Sequence, residues 1–296
     1  MPLSRRQFVA RSAVAAAALP FVSPFARAAT SRADGFEMLR RGVGAFSGRG
    51  GTIGYLQTAD ALVAVDSQFP ASAQTFLDGL RDDGRGLDLL VNTHHHGDHT
   101  AGNSVLAPNA ARHVAHEAVP GLQRASASRG NSLETQRYAS ETFSRTWSAD
   151  VGDEVVSLSY HGPAHTAGDA VVHFENADVI HMGDLMFNRR QPFIDRGAGA
   201  SVAGWMDTLQ TVHDHHSDET IFVFGHAGEG ASVIGTRADL LVFKGFLESL
   251  YAAVGSALED GQTAADLEGM LVPGHDAWGP APMRVVEPVA QEVRAQ

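Results

Sequence analysis

The feature that most constrains this chain is the run HHHGDH, which begins at His94. The apolar residues 87–91 in front of it predict a short buried strand, because they are too few for a helical period. Open α/β sheets place their sites at the carboxyl ends of such strands. In extended backbone His94 and His96 point to one side, whereas Asp98 and His99 follow where the chain turns. One loop can therefore present ligands to two metal ions.

A solvated histidine-rich loop is the alternative interpretation of this run. Its internal position, the aspartate within it and the strand before it argue against that alternative. The composition further limits the chemistry, because the 296 residues include fifteen histidines and no cysteine. Disulfides, thiolate metal sites and a cysteine nucleophile are thus excluded, and any transition metal must be bound by nitrogen and oxygen.

The net charge of −12 gives the chain an acidic character. Such a surface repels nucleic acid and anionic lipid, and no basic stripe is visible in the sequence. We therefore expect a small-molecule substrate and no nucleic-acid partner. The sequence leaves the oligomeric state open.

Residues 1–28 are predicted to be a twin-arginine export signal. Residues 4–9 read SRRQFV, a short apolar stretch follows at residues 13–19, and residues 26–28 (ARA) fit a small-x-small cleavage site. A membrane anchor is disfavoured, because the apolar stretch is too short to span a bilayer. We expect residues 29–296 to form one domain in the periplasm, with no stable membrane association after the signal is removed.

Three further metal-binding side chains follow predicted strands. His165 lies within GPAHTAG, Asp184 ends the run DVIHMGD, and His226 follows the apolar run IFVFG. Taken alone, each would be read as a core histidine or a strand-end cap. Together with the histidine run they predict one polar site at the sheet edge.

The order of these groups resembles the metallo-β-lactamase superfamily over roughly residues 36–235. The H-x-H-x-D-H motif is its hallmark, and a histidine in a G-x-x-H-T-x-G context, a strand-end aspartate and a late Gly-His follow in the same order. The resemblance implies an α/β fold, a four-layer αββα sandwich, with the site at one edge of its two sheets.

The resemblance also implies a ligand set for two metal ions. The first ion would be bound by His94, His96 and His165. The second would be bound by Asp98, His99 and His226, and Asp184 would bridge both. His95 is the variable position of the motif and is not expected to be a ligand. Zinc is the expected metal, with two ions per chain by the resemblance, and iron or manganese also suits an aspartate-bridged site.

The resemblance further implies a hydrolase that uses a metal-bridging hydroxide on a carbonyl ester, thioester, lactone or amide, with Asp98 as a catalytic residue that orients the hydroxide. Asp184 favours thioesterases and lactonases, since the classical β-lactamases generally lack this bridging aspartate. Three alternatives stay open: a β-lactamase, a mononuclear-iron persulfide dioxygenase, and a non-catalytic periplasmic metal-binding accessory protein. Arg189 or Arg190, soon after the bridging aspartate, is a candidate to bind a substrate carboxylate.

Other polar residues are predicted to be structural. Asp66 is expected to cap a turn or the following helix, and His173 to belong to a strand. The HDHH run at residues 213–216 is interpreted as a solvated helix end. The chain from Glu117 to Trp147 is expected to be mostly helical.

Overall fold

The computed structural model describes residues 35–80 and 85–295, so the predicted export signal lies outside the described residues. The described strands are β1 (Phe36–Arg40), β2 (Val43–Phe46), β3 (Ile53–Gln57), β4 (Leu62–Val65), β5 (Leu89–Asn92), β6 (His113–His116), β7 (Glu141–Phe143), β8 (Thr146–Val151), β9 (Glu154–Ser159), β10 (Val171–Phe174), β11 (Val179–His181), β12 (Phe187–Asn188), β13 (Ile221–Val223), β14 (His226–Ala227) and β15 (Ile234–Gly235). The described helices are α1 (Pro70–Gly79), α2 (Gly97–Thr100), α3 (Asn103–Leu106), α4 (Val119–Arg129), α5 (Val202–His215), α6 (Arg237–Glu259) and α7 (Met283–Arg294).

The strands form two large mixed sheets. The first has seven strands in the order β1-β2-β3-β4-β5-β6-β7 and turns from antiparallel to parallel pairing at β4–β5. The second has six strands in the order β15-β13-β11-β10-β9-β8, with β11 and β13 parallel. A small parallel pair, β12–β14, joins the segments that follow β11 and β13.

Three apolar clusters explain the layering. One cluster lies between the sheets, since it combines Val63 and Val91 of the first sheet with Val172 and Phe174 of the second. Another apolar cluster packs α1 against the outer face of the first sheet. The remaining apolar cluster packs α5, α6 and α7 against the second sheet. The predicted four-layer αββα sandwich is therefore confirmed.

The segment from Glu117 to Trp147 departs from its predicted helical character. Helix α4 ends at Arg129, and the chain then enters β7 and β8. Cross-strand pairing decides the outcome: β7 extends the parallel first sheet beside β6, and β8 pairs with β9 at the edge of the second. Local composition gave little sign of the β6–β7 pairing, which joins residues distant in the chain.

Helix α6 is long and apolar enough to cross a membrane by length and composition alone. Its buried residues, however, belong to the cluster that it shares with α5 and α7. A core helix passes the same test of length and composition. The packing of α6 therefore accounts for its apolar character.

Helix α7 is tied to the amino end of α5 by one buried carboxylate. Glu292 accepts hydrogen bonds from the backbone N–H groups of Val202 (2.9 Å) and Ala203 (3.1 Å) and from the Ser201 hydroxyl (3.2 Å). Arg196 donates a fourth, at 3.0 Å. A carboxylate from a distant helix thus satisfies the first turn of α5, where backbone donors have no partner within the helix.

Candidate metal centre

All seven predicted metal ligands lie at one edge of the two sheets. The first sheet supplies four of them, because β5 leads through Thr93 to His94, and α2 begins just after His96 and contains Asp98 and His99. The remaining three come from segments next to strands of the second sheet: the loop before β10, the 3₁₀ turn after β11, and β14, which follows β13. These residues are His165, Asp184 and His226.

Three imidazoles form the first cluster. His96 Nδ1 lies 3.1 Å from His94 Nε2 and 2.9 Å from His165 Nε2. Asp184 Oδ2 lies 3.8 Å from His94 Nε2 and 3.6 Å from His165 Nε2. Four ligand atoms thus surround one point in space.

The second cluster uses the other oxygen of the same aspartate. Asp184 Oδ1 lies 3.0 Å from His99 Nε2 and 3.4 Å from His226 Nε2. The two ring nitrogens are 3.5 Å apart, and Asp98 Oδ2 lies 3.1 Å from His226 Nε2. Asp184 therefore offers one carboxylate oxygen to each cluster, as a bridging ligand requires.

Hydrogen bonds around Asp66 fix the tautomers of His94 and His99. Asp66 is fully buried, and its Oδ2 accepts from His99 Nδ1 and from the Thr93 hydroxyl, each at 2.7 Å. Since the Thr93 hydroxyl donates its only hydrogen to Asp66, its oxygen accepts from His94 Nδ1 at 3.0 Å. Both rings therefore carry a proton on Nδ1 and direct Nε2 into the site.

The loop before α5 fixes the other two imidazoles of the first cluster. His96 Nε2 donates to Asp195 Oδ2 at 3.0 Å, and His165 Nδ1 donates to the carbonyl oxygen of Phe193 at 2.8 Å. The lone pairs of His96 Nδ1 and His165 Nε2 consequently face each other across 2.9 Å. Neutral rings held in this way repel each other unless a cation lies between them. The donor set fits a divalent transition-metal ion.

The pKa shifts follow from burial and from the two carboxylates. Burial lowers the pKa of His165 to about 3 and, together with the charge on His99, that of His94 well below its usual value. Burial also opposes charge on His226, but Asp184 and Asp98 outweigh it and raise the pKa of His226 to about 9. His94 and His165 are thus kept neutral by burial, whereas the carboxylates of the second cluster favour positive charge.

Two glycines leave room for the buried ligands. A Cβ atom at Gly51 would overlap the ring of His99, and one at Gly225 would overlap Asp184 Oδ1. Asp184 Oδ1 is itself buried without a hydrogen-bond partner among the described residues. A buried carboxylate oxygen is costly to leave unsatisfied, and a metal ion at this position would satisfy it.

Sequence reasoning missed the residues that orient the ligands. Asp66 was predicted to be a cap, and this was wrong: it holds His99 and Thr93, while α1 has no side-chain cap. The available signal for Asp66 was its position at the end of β4, the strand that pairs with β5. Asp195 and the Phe193 carbonyl gave no such signal, because only the folded loop brings them to His96 and His165. Four of the imidazoles, those of His94, His96, His99 and His165, therefore have a second partner.

A cleft of about 310 Å³ opens over the clusters. His96, Asp98, Asp184 and His226 form its polar floor; its remaining lining is Gly97, Phe187, Arg190, Gln191, Phe193 and Arg284. Of the two predicted substrate-binding arginines, Arg190 therefore reaches the cleft, whereas Arg189 does not line it. His95 is buried beside Asp195, with its Nε2 3.6 Å from the Asp195 carboxylate.

The sequence profile of the metallo-beta-lactamase superfamily matches residues 47–226, a region that contains every predicted metal ligand. The chain belongs to this superfamily. The alpha subunit of 2,4-dinitroanisole O-demethylase from Nocardioides sp. (strain JS1661) is 26% identical over 129 residues. That match spans 43% of this chain and only 38% of the relative.

Solved structures of low sequence identity share the fold. A metallo-beta-lactamase from Pontibacter korlensis has a TM-score of 0.60 at 16% identity and covers 72% of this chain and 98% of its own. The DIM-1 metallo-beta-lactamase has a TM-score of 0.57 at 20% identity, with 72% and 96% covered. The inverting sec-alkylsulfatase Pisa1 from Pseudomonas sp. has a TM-score of 0.65 at 13% identity, with 87% and 50% covered.

Proposed function

We propose that this protein is a dinuclear metal-dependent hydrolase of a small molecule that carries a carbonyl ester, thioester, lactone or amide. The observation that carries the proposal is the convergence of imidazole nitrogens on two points that share Asp184, with lone pairs facing each other in the first cluster. A protein gains nothing in stability from facing buried lone pairs, so the arrangement indicates metal binding.

The proposed ligands have separate roles. His94, His96 and His165 would hold one ion; Asp98, His99 and His226 would hold the other; Asp184 would bridge them. Two bound zinc ions would lower the pKa of a water molecule to about 7. They would also stabilise negative charge that develops on the substrate. Zinc suits these nitrogen-rich ligands, and iron or manganese remains an alternative to be decided by metal analysis.

Asp98 is the ligand best placed to act on the reaction. Its side chain is 32% exposed and lines the cleft, whereas His99 and Asp184 are buried. The contact with His226, which outweighs the effect of burial, lowers the pKa of Asp98 to about 2, so the carboxylate is ionised at neutral pH. It can therefore accept a hydrogen bond from an attacking water molecule and orient it.

The rim of the cleft suits a partly apolar substrate with a negative charge. Phe187 and Phe193 offer ring surface beside the metal ligands. Arg190 and Arg284 line the same cleft, and neither has an ion pair or side-chain hydrogen bond within residues 35–80 and 85–295. A substrate carboxylate is the group that such unpaired guanidinium groups bind.

The decisive experiment combines metal analysis with a substrate panel. Protein purified without added metal is analysed for bound elements and then assayed, with zinc restored, on lactones, thioesters, simple esters and a chromogenic cephalosporin. Two metal equivalents in the centre and turnover that disappears with a chelator support the proposal. A single iron per chain with oxygen uptake would contradict it and would favour a persulfide dioxygenase.

The same panel separates two other activities. Fold similarity to metallo-beta-lactamases makes cephalosporin turnover the first of these. The match to an O-demethylase subunit makes an aryl methyl ether the second, although it covers a minor part of that relative. Metal bound without any turnover would favour an accessory, metal-binding role.

We propose in addition that the protein acts in the periplasm after twin-arginine export. The support is the SRRQFV segment and the small-x-small site at residues 26–28. Fractionation of cells that produce the full chain is the test, with Arg5→Lys plus Arg6→Lys as the variant expected to stay in the cytoplasm. Equal export of both chains would contradict this route.

A further inference from the structure

A second group of metal-binding side chains lies away from the candidate metal centre. This distal cluster consists of His173 on β10, Asp178 in the turn before β11, and His216 just after α5. Strand β11 runs from Asp178 towards Asp184, so the cluster lies at the opposite end of that strand from the bridging aspartate. The two groups share no residue.

The geometry brings three ligand atoms to one place. All three lie within 4.8 Å of one another, and His173 Nε2 is 3.9 Å from Asp178 Oδ1. The rings of His173 and His216 have centroids 5.1 Å apart and are nearly perpendicular, at 84°. Zinc bonds of about 2.0–2.2 Å need ligand atoms roughly 3.4 Å apart, so the three side chains must move by about 1 Å to bind the ion. All three side chains are half-buried at the surface, where such rotations are available.

An unsatisfied nitrogen points to a ligand at this position. His173 Nε2 is buried and has no hydrogen-bond partner in the part of the chain that the structure describes. Because Val172 and Phe174 face the core between the sheets, His173 faces the side covered by α5. Burying a ring nitrogen without a partner is unfavourable, and a bound cation would remove that cost.

The carboxylate of the distal cluster is held in position by its neighbours. The Thr220 hydroxyl donates to Asp178 Oδ1 at 2.8 Å, and Arg40 contacts the other oxygen, Oδ2, at 3.5 Å. The oxygen nearer His173 is thus fixed by a neutral group rather than by the guanidinium. This arrangement resembles the outer partners that orient metal-binding carboxylates.

We propose that His173, Asp178 and His216 bind one divalent transition-metal ion, with water completing the coordination. Two imidazoles and one carboxylate are ligands typical of zinc. The ion would join the carboxyl end of α5 to the turn between β10 and β11. His173 then has a role beyond the strand position predicted for it, and the HDHH run contributes one ligand rather than only a solvated helix end. The proposal is independent of the proposed hydrolytic function.

Zinc stoichiometry tests the proposal. Full-length wild-type protein and the His216→Ala variant are stripped with a chelator, reloaded with Zn²⁺, separated from free metal and analysed for zinc per chain. The wild-type protein is expected to hold one equivalent more than the variant, with hydrolytic turnover the same in both. Equal zinc content in the two proteins would overturn the proposal.

A matched control removes a neighbouring imidazole instead. His215→Ala deletes an exposed ring at the same helix end that is outside the trio, and it is expected to retain the wild-type zinc content. Asp178→Asn provides a second loss variant if His216→Ala does not fold. Crystals of zinc-loaded wild-type protein should show anomalous scattering between the three side chains. A peak at the metal centre with none at the distal cluster would also overturn the proposal.

Discussion

The floor and the rim of the cleft differ in how firmly their side chains are held. At the floor, four of the ligand imidazoles have a second partner: Thr93, Asp66, Asp195 or the Phe193 carbonyl. At the rim, Arg190 and Arg284 are exposed and, among the described residues, unpaired. The floor is preorganised for one chemistry, whereas the rim can adapt to the substrate.

The rim also draws on a part of the chain that the floor does not use. Every predicted ligand lies within residues 47–226, which match the superfamily profile, but Arg284 lies on α7, outside them. Under the proposed function, bond cleavage belongs to the shared part of the fold, and substrate choice depends in part on the segment that follows it. Each variant proposed here tests this division.

The largest effect is expected when a ligand at the floor is removed. Asp98→Ala should lower kcat/KM by roughly 10²–10³-fold or more, because a second-cluster ligand and the group that orients water are lost together. The side chain is partly exposed, so the fold should be retained. Circular dichroism and metal content are measured alongside turnover. Wild-type turnover in a folded variant would refute the assignment of the centre.

The next effect tests whether the outer partners hold the floor in place. Asp66→Asn should weaken metal binding or activity roughly 10–100-fold, since an amide cannot accept from His99, the Thr93 hydroxyl and the Thr93 N–H with both oxygens. Competition with a chromophoric chelator measures the affinity. Asp60→Asn, an exposed acid in the turn before β4, is the matched control. Equal affinities would mean that Asp66 has only a structural role.

A smaller and more selective effect is expected at the rim. Arg190→Ala and Arg284→Ala should each raise KM for a substrate with a carboxylate by about tenfold, in keeping with a charged hydrogen bond worth about 1.5–3 kcal/mol before water competes. The kcat value and the KM of a neutral ester should change little. Arg189→Ala is the control, because Arg189 is exposed but does not line the cleft. A fall in kcat as large as the rise in KM would mean that these arginines act in the chemical step and not only in substrate binding.

The sequence predicted the floor far better than its supports. The ligands follow strand ends in a fixed order, and the four-layer fold follows from the same resemblance. The supports depend on contacts between distant segments: Asp195 reaches His96 across 99 positions of the chain. The strand β7 likewise exists because β6 lies beside it, and no local pattern encodes that neighbour. No local pattern links Arg284 to the cleft, because only the packing of α7 brings it there.

The smallest effect on activity is expected at the link between the two regions. Glu292 on α7 accepts from Arg196, next to Asp195, and from the amino end of α5, so it holds the loop that orients His96 and His165. In Glu292→Gln an amide N–H₂ group faces these donors, and stability should fall by about 1–3 kcal/mol. Denaturant unfolding measures this loss, and chelator competition should show metal affinity reduced by less than tenfold.

Glu287→Gln is the control for this last variant, because Glu287 lies on α7 in an exposed contact with Gln291. If Glu292→Gln loses stability but keeps full metal affinity, α7 supports only the helical layer and the floor is independent of it. If both fall together, the separation of floor and rim is incomplete. In that case α7 serves both regions, through Glu292 for the orientation of the ligands and through Arg284 for the substrate.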